Sequence, residues 1–123
     1  MRIILADSND LVRVGMRTVL SAKDNLEIVG EARNNEELKQ QIKSFSVDVV
    51  LIDYTSNGFD IDIIPSLLSS NSELKFIAIT PEQSAQTLVD ALRSGIMSYV
   101  KKDCDVGEIL NAVKETGRGN KFF

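Results

Sequence analysis

The sequence of 123 residues contains no histidine and only one cysteine. Without histidine the chain cannot build a Ser-His-Asp triad, bind a metal through imidazole or carry a phosphohistidine of its own. The single cysteine, Cys104, cannot form an internal disulfide and falls far short of a zinc ligand set. These absences exclude several common catalytic and metal sites. They also favour a reducing compartment, so we expect a cytoplasmic protein.

The sequence also lacks long apolar runs and an excess of basic residues. No run approaches the ~20 apolar residues of a membrane helix, and the N-terminal stretch reaches the charged Asp7 too soon for a signal peptide. The 18 acidic and 14 basic residues give a net charge of -4, whereas surfaces that bind DNA are basic. We therefore expect one globular domain that contacts neither a membrane nor DNA directly.

Five short apolar runs alternate with segments of helical periodicity. The runs cover residues 3–6, 26–32, 47–52, 76–80 and 97–100. The predicted helix faces are Val12/Met16/Val19/Leu20, Leu38/Ile42/Phe45, Ala85/Leu88/Val89/Leu92 and Val106/Ile109/Leu110/Val113, with a weaker helix over 61–68 that has Pro65 in its first turn. Predicted N-terminal caps are Asn9, Asn35, and Asp105 in a capping box with Glu108. This β-α alternation predicts an α/β fold with a parallel sheet covered on both faces.

Polar residues stand where four of the predicted strands end. Asp7 ends the first strand, Asp53 the third and Thr80 the fourth, and Lys102 follows the fifth. Because functional sites of such sheets lie beyond the carboxyl ends of the strands, we expect these side chains to converge. An aspartate can attack phosphorus, carboxylates suit Mg²⁺, and a lysine and a hydroxyl can meet a phosphoryl group. Taken alone, Asp53 could be a helix cap, and Lys101 competes with Lys102.

Five motifs in chain order carry a resemblance to a known family. They are Arg2-Ile-Ile-Leu-Ala-Asp7, Leu11-Val-Arg-Val-Gly15, Val47-Asp-Val-Val-Leu-Ile-Asp53, Ile77-Ala-Ile-Thr80 and Ser98-Tyr99-Val-Lys-Lys102. Together they resemble the receiver domain of two-component response regulators over essentially the whole chain. The segment Val29-Gly-Glu-Ala32 is similar to the NarL/LuxR type. The resemblance implies a flavodoxin-like, doubly wound (βα)5 parallel sheet with strand order 2-1-3-4-5.

The resemblance also implies roles for the residues at the strand ends. Asp53 would accept a phosphoryl group from the histidine of a sensor kinase, Lys102 would contact that group, and Thr80 would move toward it. Asp7, Asp53 and the backbone carbonyl of Thr55 would bind Mg²⁺.

Tyr99 would be the aromatic switch that follows Thr80, although an ordinary half-buried strand tyrosine explains it equally well. In this family the signal leaves through the face formed by the fourth helix, the fifth strand and the fifth helix.

The sequence departs from the family pattern at the acceptor site. Ser8 stands where the family usually has a second acid that ligates the metal directly, so it would be a weak or lost ligand. Loss of even an outer-shell partner typically costs ~10–100-fold in metal affinity. Asn57 and Ile61 replace a usual proline and glycine, and Pro81 restricts Thr80 to extended conformations. These departures motivate an alternative, a phosphorylation-independent interaction or dimerisation module.

We expect residues 1–119 to form the receiver and residues 120–123 to begin a linker to a C-terminal helix-turn-helix domain that is not in this chain. Expected partners are a sensor histidine kinase, a second copy in a homodimer, and DNA only through that further domain. We do not expect an enzyme. An aspartate-nucleophile phosphatase usually carries a second acid two residues after the nucleophile, where this chain has Thr55, and neither a P-loop nor a G-x-G-x-x-G turn is present to support a nucleotide enzyme.

Overall fold

A parallel sheet of five strands runs through the middle of the molecule. In the computed structural model, which describes residues 1–81 and 84–123, the strands are β1 (Arg2–Ala6), β2 (Glu27–Ala32), β3 (Val49–Ile52), β4 (Lys75–Thr80) and β5 (Ser98–Lys101). Their order in the sheet is β2-β1-β3-β4-β5, and all four neighbouring pairs are parallel. This confirms the predicted doubly wound (βα)5 fold and its strand order.

Five helices cover the two faces of the sheet. They are α1 (Asp10–Ser21), α2 (Asn35–Ser44), α3 (Ile63–Ser70), α4 (Ala85–Ser94) and α5 (Val106–Gly117). Alternate residues of β1 enter opposite cores, as the period of a strand requires: Ile4 packs with α2, α3 and α4, while Leu5 packs with α1 and α5. None of the helices in the described ranges combines the length and the apolar character of a membrane span.

One of the three predicted caps lies at a different residue, and another lacks the predicted side-chain hydrogen bond. The Asn9 side chain accepts a hydrogen bond from the Val12 amide at the start of α1, as predicted. At α2 the cap is Asn34, which accepts from the Glu37 amide, so the prediction of Asn35 was wrong by one residue. Asp105 stands at the N-cap of α5, but among the described residues none forms a capping hydrogen bond with its side chain. The predicted capping box is therefore wrong.

The predicted helix faces are only partly buried. Ala91, which lay outside the predicted face of α4, is the buried residue of that helix, and Leu88 is half-buried. The periodicity of the sequence predicts an apolar stripe along the helix. It does not determine which side of that stripe packs against the sheet. Phe45 follows α2 in an extended conformation and so leaves the helical stripe. The predicted core residues that are exposed are Ala85, Val89, Leu92, Phe45 and Val106.

The last residues of the chain lie along the edge of β5. The chain reverses after α5 at Gly119, whose positive φ of 86° suits glycine. The Tyr99 amide then donates to the Phe122 carbonyl at 2.8 Å, and the Phe122 amide donates to Ser98 Oγ at 3.1 Å. The Phe122 ring packs against the core formed by α1, α5 and the sheet. Residues that we expected to begin a linker thus pair with the sheet.

We predict that Phe122→Ala destabilises the fold by about 1–2 kcal/mol, less than a fully buried phenylalanine would because the ring is only half-buried. Urea denaturation measures the loss, and hydrogen exchange of the Tyr99 amide should become faster. The matched control is Phe123→Ala, at a side chain that is 54% exposed, for which we expect a change within about 0.5 kcal/mol. Equal effects of the two variants would contradict a specific role for Phe122.

Candidate functional site

The register of the sheet brings two aspartates side by side. Ala6 of β1 pairs with Ile52 of β3, so the residues that follow them, Asp7 and Asp53, are neighbours. The Asp53 amide donates to the Ala6 carbonyl at 3.0 Å, which extends this pairing by one residue. Both aspartates are almost completely buried, with exposures of 1% and 3%. Two buried carboxyl groups this close together require a partner of opposite charge.

Lys102 supplies that partner. Its Nζ lies 2.7 Å from Asp7 Oδ2 and also contacts Asp53 Oδ2. The Lys102 amide donates to the Thr80 carbonyl at 2.8 Å, which fixes the backbone where β5 ends. Lys101 points the other way, and its nearest carboxylate is that of the exposed Asp103 at 3.8 Å. The competition between the two lysines is therefore resolved by geometry in favour of Lys102.

The two aspartates keep Lys102 protonated. Burial disfavours its charged form, but the hydrogen bonds and charges of Asp53 and Asp7 outweigh burial and raise the pKa of the Lys102 ammonium. A group whose pKa is raised on folding stabilises the fold below its unfolded pKa and loses that effect as the pH rises through the folded value. The ion pairs are therefore fully formed at neutral pH and weaken only in the alkaline range.

The remaining oxygens of the two carboxylates are held by the backbone. Asp7 Oδ1 accepts from the Asn9 amide at 2.8 Å. Asp53 Oδ1 accepts from both the amide and the hydroxyl of Thr55, at 2.9 and 2.5 Å. Each carboxylate thus has one oxygen fixed by its own loop and one directed at Lys102. This arrangement orients Asp53 before any ligand arrives.

The loop after Asp53, which carries the unusual Asn57, is ordered by local hydrogen bonds. Ser56 Oγ donates to the Asp53 carbonyl at 2.8 Å and accepts from the Ser8 amide at 3.2 Å, so it connects the two loops that carry the aspartates. Gly58 has a φ of 91°, and its carbonyl accepts from the Asn35 amide at the start of α2. The loop therefore takes its shape from Ser56 and Gly58 without the usual proline.

Arg13 is a site residue that the sequence analysis missed. Its buried guanidinium donates to the Asp7 carbonyl at 2.5 Å and to Glu31 Oε1 at 3.2 Å, and it also binds Asp10. Arg13 thus holds the backbone of the turn at Asp7 and Ser8 in place. The Asp10 side chain is 81% exposed and engaged by Arg13, so it faces outward and does not replace the acid missing at Ser8.

Thr80 and Tyr99 form a buried pair on the neighbouring strands. The two hydroxyl oxygens are 2.6 Å apart, and both residues are at most 1% exposed. Tyr99 therefore lies inside the molecule in this structure, and its ring belongs to the core beneath α4. The roles of Thr80 and Tyr99 in switching remain predictions.

Tyr54 is the second residue that the sequence analysis missed. It directly follows Asp53, is buried, and its phenol donates to the Thr87 carbonyl in α4 at 3.4 Å. Burial first, and then the charge and hydrogen bond of the neighbouring Tyr99, raise the pKa of the Tyr54 phenol well above its usual value. The signal available in the sequence was a polar aromatic immediately after the candidate acceptor, since a buried phenol usually has a hydrogen-bond partner.

The donor set suits a magnesium ion only modestly. Mg²⁺ is commonly bound by one or two carboxylates together with substrate phosphate oxygens, and Asp7 and Asp53 meet that minimum. Within residues 1–81 and 84–123 there is no group of three or more acidic, histidine or cysteine side chains that could hold a metal. Ser8, which directly follows Asp7, offers no carboxylate to this set. The site is compatible with Mg²⁺ but has few ligands for it.

The class of receiver-like signalling domains is defined by this kind of site in a doubly wound sheet. A buried aspartate follows β3, a threonine ends β4 and a lysine follows β5. Residues 3–114 match the family described as the response regulator receiver domain. The chain belongs to this family. Receiver domains of this family are regulatory.

The similar proteins are response regulators of the NarL/LuxR type, as the motifs predicted. The DNA-binding transcriptional activator DevR/DosR of Mycobacterium tuberculosis is 31% identical over 99% of this chain and 57% of its own length. LiaR of Bacillus subtilis is 28% identical over 96% of this chain and 56% of its own length. The chain thus spans little more than half of these relatives. The receiver domain of NarL from Mycobacterium tuberculosis superimposes with a TM-score of 0.90 at 27% identity, over 97% of both chains.

We predict that Lys102→Met destabilises the fold by about 3 kcal/mol, because it leaves two buried carboxylates without their cation. Urea denaturation at neutral pH measures this loss. Lys101→Met is the control, because its side chain is 45% exposed and its ion pair is long, and exposed pairs contribute little. A Lys102 variant as stable as the Lys101 variant would contradict the ion pairing described above.

Proposed function

We propose that this chain is a phosphoacceptor receiver that takes a phosphoryl group on Asp53 from a sensor histidine kinase and controls an output domain. The observation that carries the proposal is the buried Asp53 carboxylate, oriented by Thr55 and in contact with Lys102. In the transfer, an Asp53 oxygen bonds to phosphorus as the bond from phosphorus to the kinase histidine nitrogen breaks. The electron pair of that bond stays on the imidazole, and an acyl phosphate forms.

Two side chains of this site and a metal ion would serve that reaction. The Lys102 ammonium would move from the carboxylates to the phosphoryl oxygens, and the Thr80 hydroxyl would donate to one of them. Mg²⁺, held by Asp7, Asp53 and the Thr55 carbonyl, with Ser8 as a weak or lost ligand, would neutralise charge on the transferred group.

We infer that the output is transcriptional. DevR/DosR, by name, is a DNA-binding activator, and a Salmonella typhimurium relative, RcsB, is known in a complex with promoter DNA. This chain carries a net charge of -4, so DNA contact would come through a separate C-terminal domain. Four further points remain predictions. They are a homodimer, a cytoplasmic location, the absence of enzymatic activity, and a boundary at residue 119 followed by a linker.

A second candidate function is an interaction module that does not use phosphorylation. Two observations favour it. Ser8 deprives the site of one acid, and the Lys102 ammonium already contacts both remaining carboxylates. Because Lys102 already offsets the negative charge of the two carboxylates, the site needs Mg²⁺ less. The two candidates differ in whether Asp53 reacts.

We predict that the protein captures beryllofluoride in the presence of Mg²⁺, seen as NMR shifts around Asp53 and Lys102, and that acetyl phosphate adds one phosphoryl group by intact mass. Asp53→Asn should abolish both results because the amide oxygen carries no negative charge with which to bond to phosphorus or beryllium. Asp60→Asn, at an exposed acid of the same loop, is the control and should react normally. A wild-type protein that does not respond at saturating reagent would favour the interaction module.

We further predict that Ser8→Asp increases Mg²⁺ affinity by about 10–100-fold, since it restores a carboxylate beside Asp7 and Asp53. A magnesium titration followed by NMR measures the change. The control is Ser56→Ala, which leaves the number of acids unchanged and should not tighten binding. If Ser8→Asp binds Mg²⁺ no better than the wild type, Ser8 is not at a ligand position.

A further inference from the structure

We propose that Arg13 is a positioning residue of the acceptor site, which places the Asp7 carboxylate for the binding of Mg²⁺. The inference rests on the proposed phosphoacceptor function and adds to it a residue that lies outside the strand ends. Arg13 would act through the backbone of Asp7 and would touch neither the metal nor the phosphoryl group.

Arg13 lies where two motifs of the sequence meet, neither of which the acceptor chemistry uses. One is Leu11-Val-Arg-Val-Gly15 in α1, and the other is Val29-Gly-Glu-Ala32 in β2. Between them, Arg13 Nε donates to Glu31 Oε1 at 3.2 Å. The two side chains are 9% and 25% exposed, and charges this buried need partners. The pair therefore joins α1 to β2.

Charge pairing alone does not account for the third contact of the guanidinium. Glu31 and Asp10 already supply Arg13 with two carboxylates. The remaining nitrogen, Nη1, donates to the Asp7 carbonyl at 2.5 Å. The donors of a guanidinium form a rigid, planar fork, so the two carboxylates also fix the direction of Nη1. The Asp7 carbonyl is thus held by a side chain whose own position is set by α1 and β2.

The peptide group between Asp7 and Ser8 carries this constraint to the loop of Asp53. A peptide group is planar, so the carbonyl that Arg13 holds and the Ser8 amide move together. The Ser8 amide donates to Ser56 Oγ at 3.2 Å, and Ser56 Oγ donates to the Asp53 carbonyl at 2.8 Å. Arg13 and Ser56 therefore hold opposite sides of one peptide group that lies between the two aspartates.

The placement of Asp7 relative to Asp53 matters most for a small dication. Mg²⁺ demands near-ideal octahedral geometry, so a shift of one carboxylate lowers affinity even when both carboxylates are present. Loss of an outer-shell partner of a metal ligand typically costs ~10–100-fold in affinity. Arg13 holds the backbone of one of the two acids, so Mg²⁺ binding should depend on it.

The sign of the effect separates position from charge. Arg13 is a cation, and a positive charge near the site opposes the binding of a dication. If Arg13 acted by charge alone, its removal would tighten Mg²⁺ binding. If Arg13 acts by placing Asp7, its removal weakens Mg²⁺ binding.

The test is Arg13→Gln, with Mg²⁺ affinity measured by a magnesium titration followed by NMR. We expect the affinity to fall by about tenfold. The matched control is Arg17→Gln. Arg17 also binds Glu31, but it lies one turn further along α1 and its side chain is 47% exposed. The control removes the same charge and should change the affinity by less than about twofold.

Two further measurements distinguish positioning from a general loss of structure. At saturating Mg²⁺, Arg13→Gln should bind beryllofluoride as tightly as the wild type, because the bound metal then ties Asp7 and Asp53 together. In the metal-free protein, hydrogen exchange of the Ser8 amide should become faster in Arg13→Gln and stay unchanged in Arg17→Gln. Arg13→Lys keeps a charged donor but not the fork, so its Mg²⁺ affinity should lie between those of Arg13→Gln and the wild type.

Failure of each idea looks different. Mg²⁺ affinity in Arg13→Gln that equals or exceeds that of the wild type overturns the positioning role, as does an equal loss of Mg²⁺ and beryllofluoride affinity. If Arg13→Gln does not fold, Arg13→Lys decides, and wild-type Mg²⁺ affinity in that variant overturns the role. A wild type that binds Mg²⁺ but not beryllofluoride overturns the phosphoacceptor function, while the Mg²⁺ and Ser8 measurements still decide the role of Arg13. A wild type that binds neither overturns both.

Discussion

The ion pairs that Lys102 makes with Asp7 and Asp53 are the interaction on which the rest of the site depends. The parallel register of β1 and β3 forces the two aspartates together and buries them, and β5 delivers the lysine from the other side of β4. A buried carboxylate without a cation would be costly. The Lys102 ammonium is therefore needed to keep both carboxylates buried in this arrangement. The Lys102 ammonium, which stabilises the buried Asp53 carboxylate here, is also the group that would bind the phosphoryl oxygens in the proposed function.

This arrangement changes how the missing acid at position 8 should be understood. A third carboxylate would add ligands for a dication but also another buried charge for Lys102 to offset. With Ser8, the Lys102 ammonium has only Asp7 and Asp53 to pair with. Arg13 holds the backbone of the turn through the Asp7 carbonyl. In the proposed phosphoacceptor, Ser8 would lower the metal affinity in return for a site that is stable without metal. Stability and phosphoacceptor chemistry therefore make opposite demands on position 8.

The fold and the acids of the site could be predicted because both follow from local pattern and from the polarity of parallel strands. Strand ends of one sheet lie at one edge, so Asp7, Asp53 and Lys102 had to be near one another. The choice of Asn34 over Asn35 as a cap could not be predicted, since both residue types fit. The exposed stripe of α4 and the docking of Phe122 depend on contacts between distant segments. Tyr54 was missed for the same reason, because its hydrogen-bond partner Thr87 is 33 positions away in the chain.

Tyr99 is the residue at which these separate features meet. Its hydroxyl faces Thr80 at 2.6 Å, while its amide donates to the Phe122 carbonyl at 2.8 Å outside the sheet. The Tyr99 ring has few alternative rotamers because the core around it is close-packed. An outward movement of the ring would therefore require the surrounding residues and the β5 backbone to shift. Any movement of Tyr99 is therefore opposed by the contact of its hydroxyl with Thr80 and by the pairing of its backbone with the terminal segment. The acceptor site, α4 and the end of the chain are thus connected through one residue of β5.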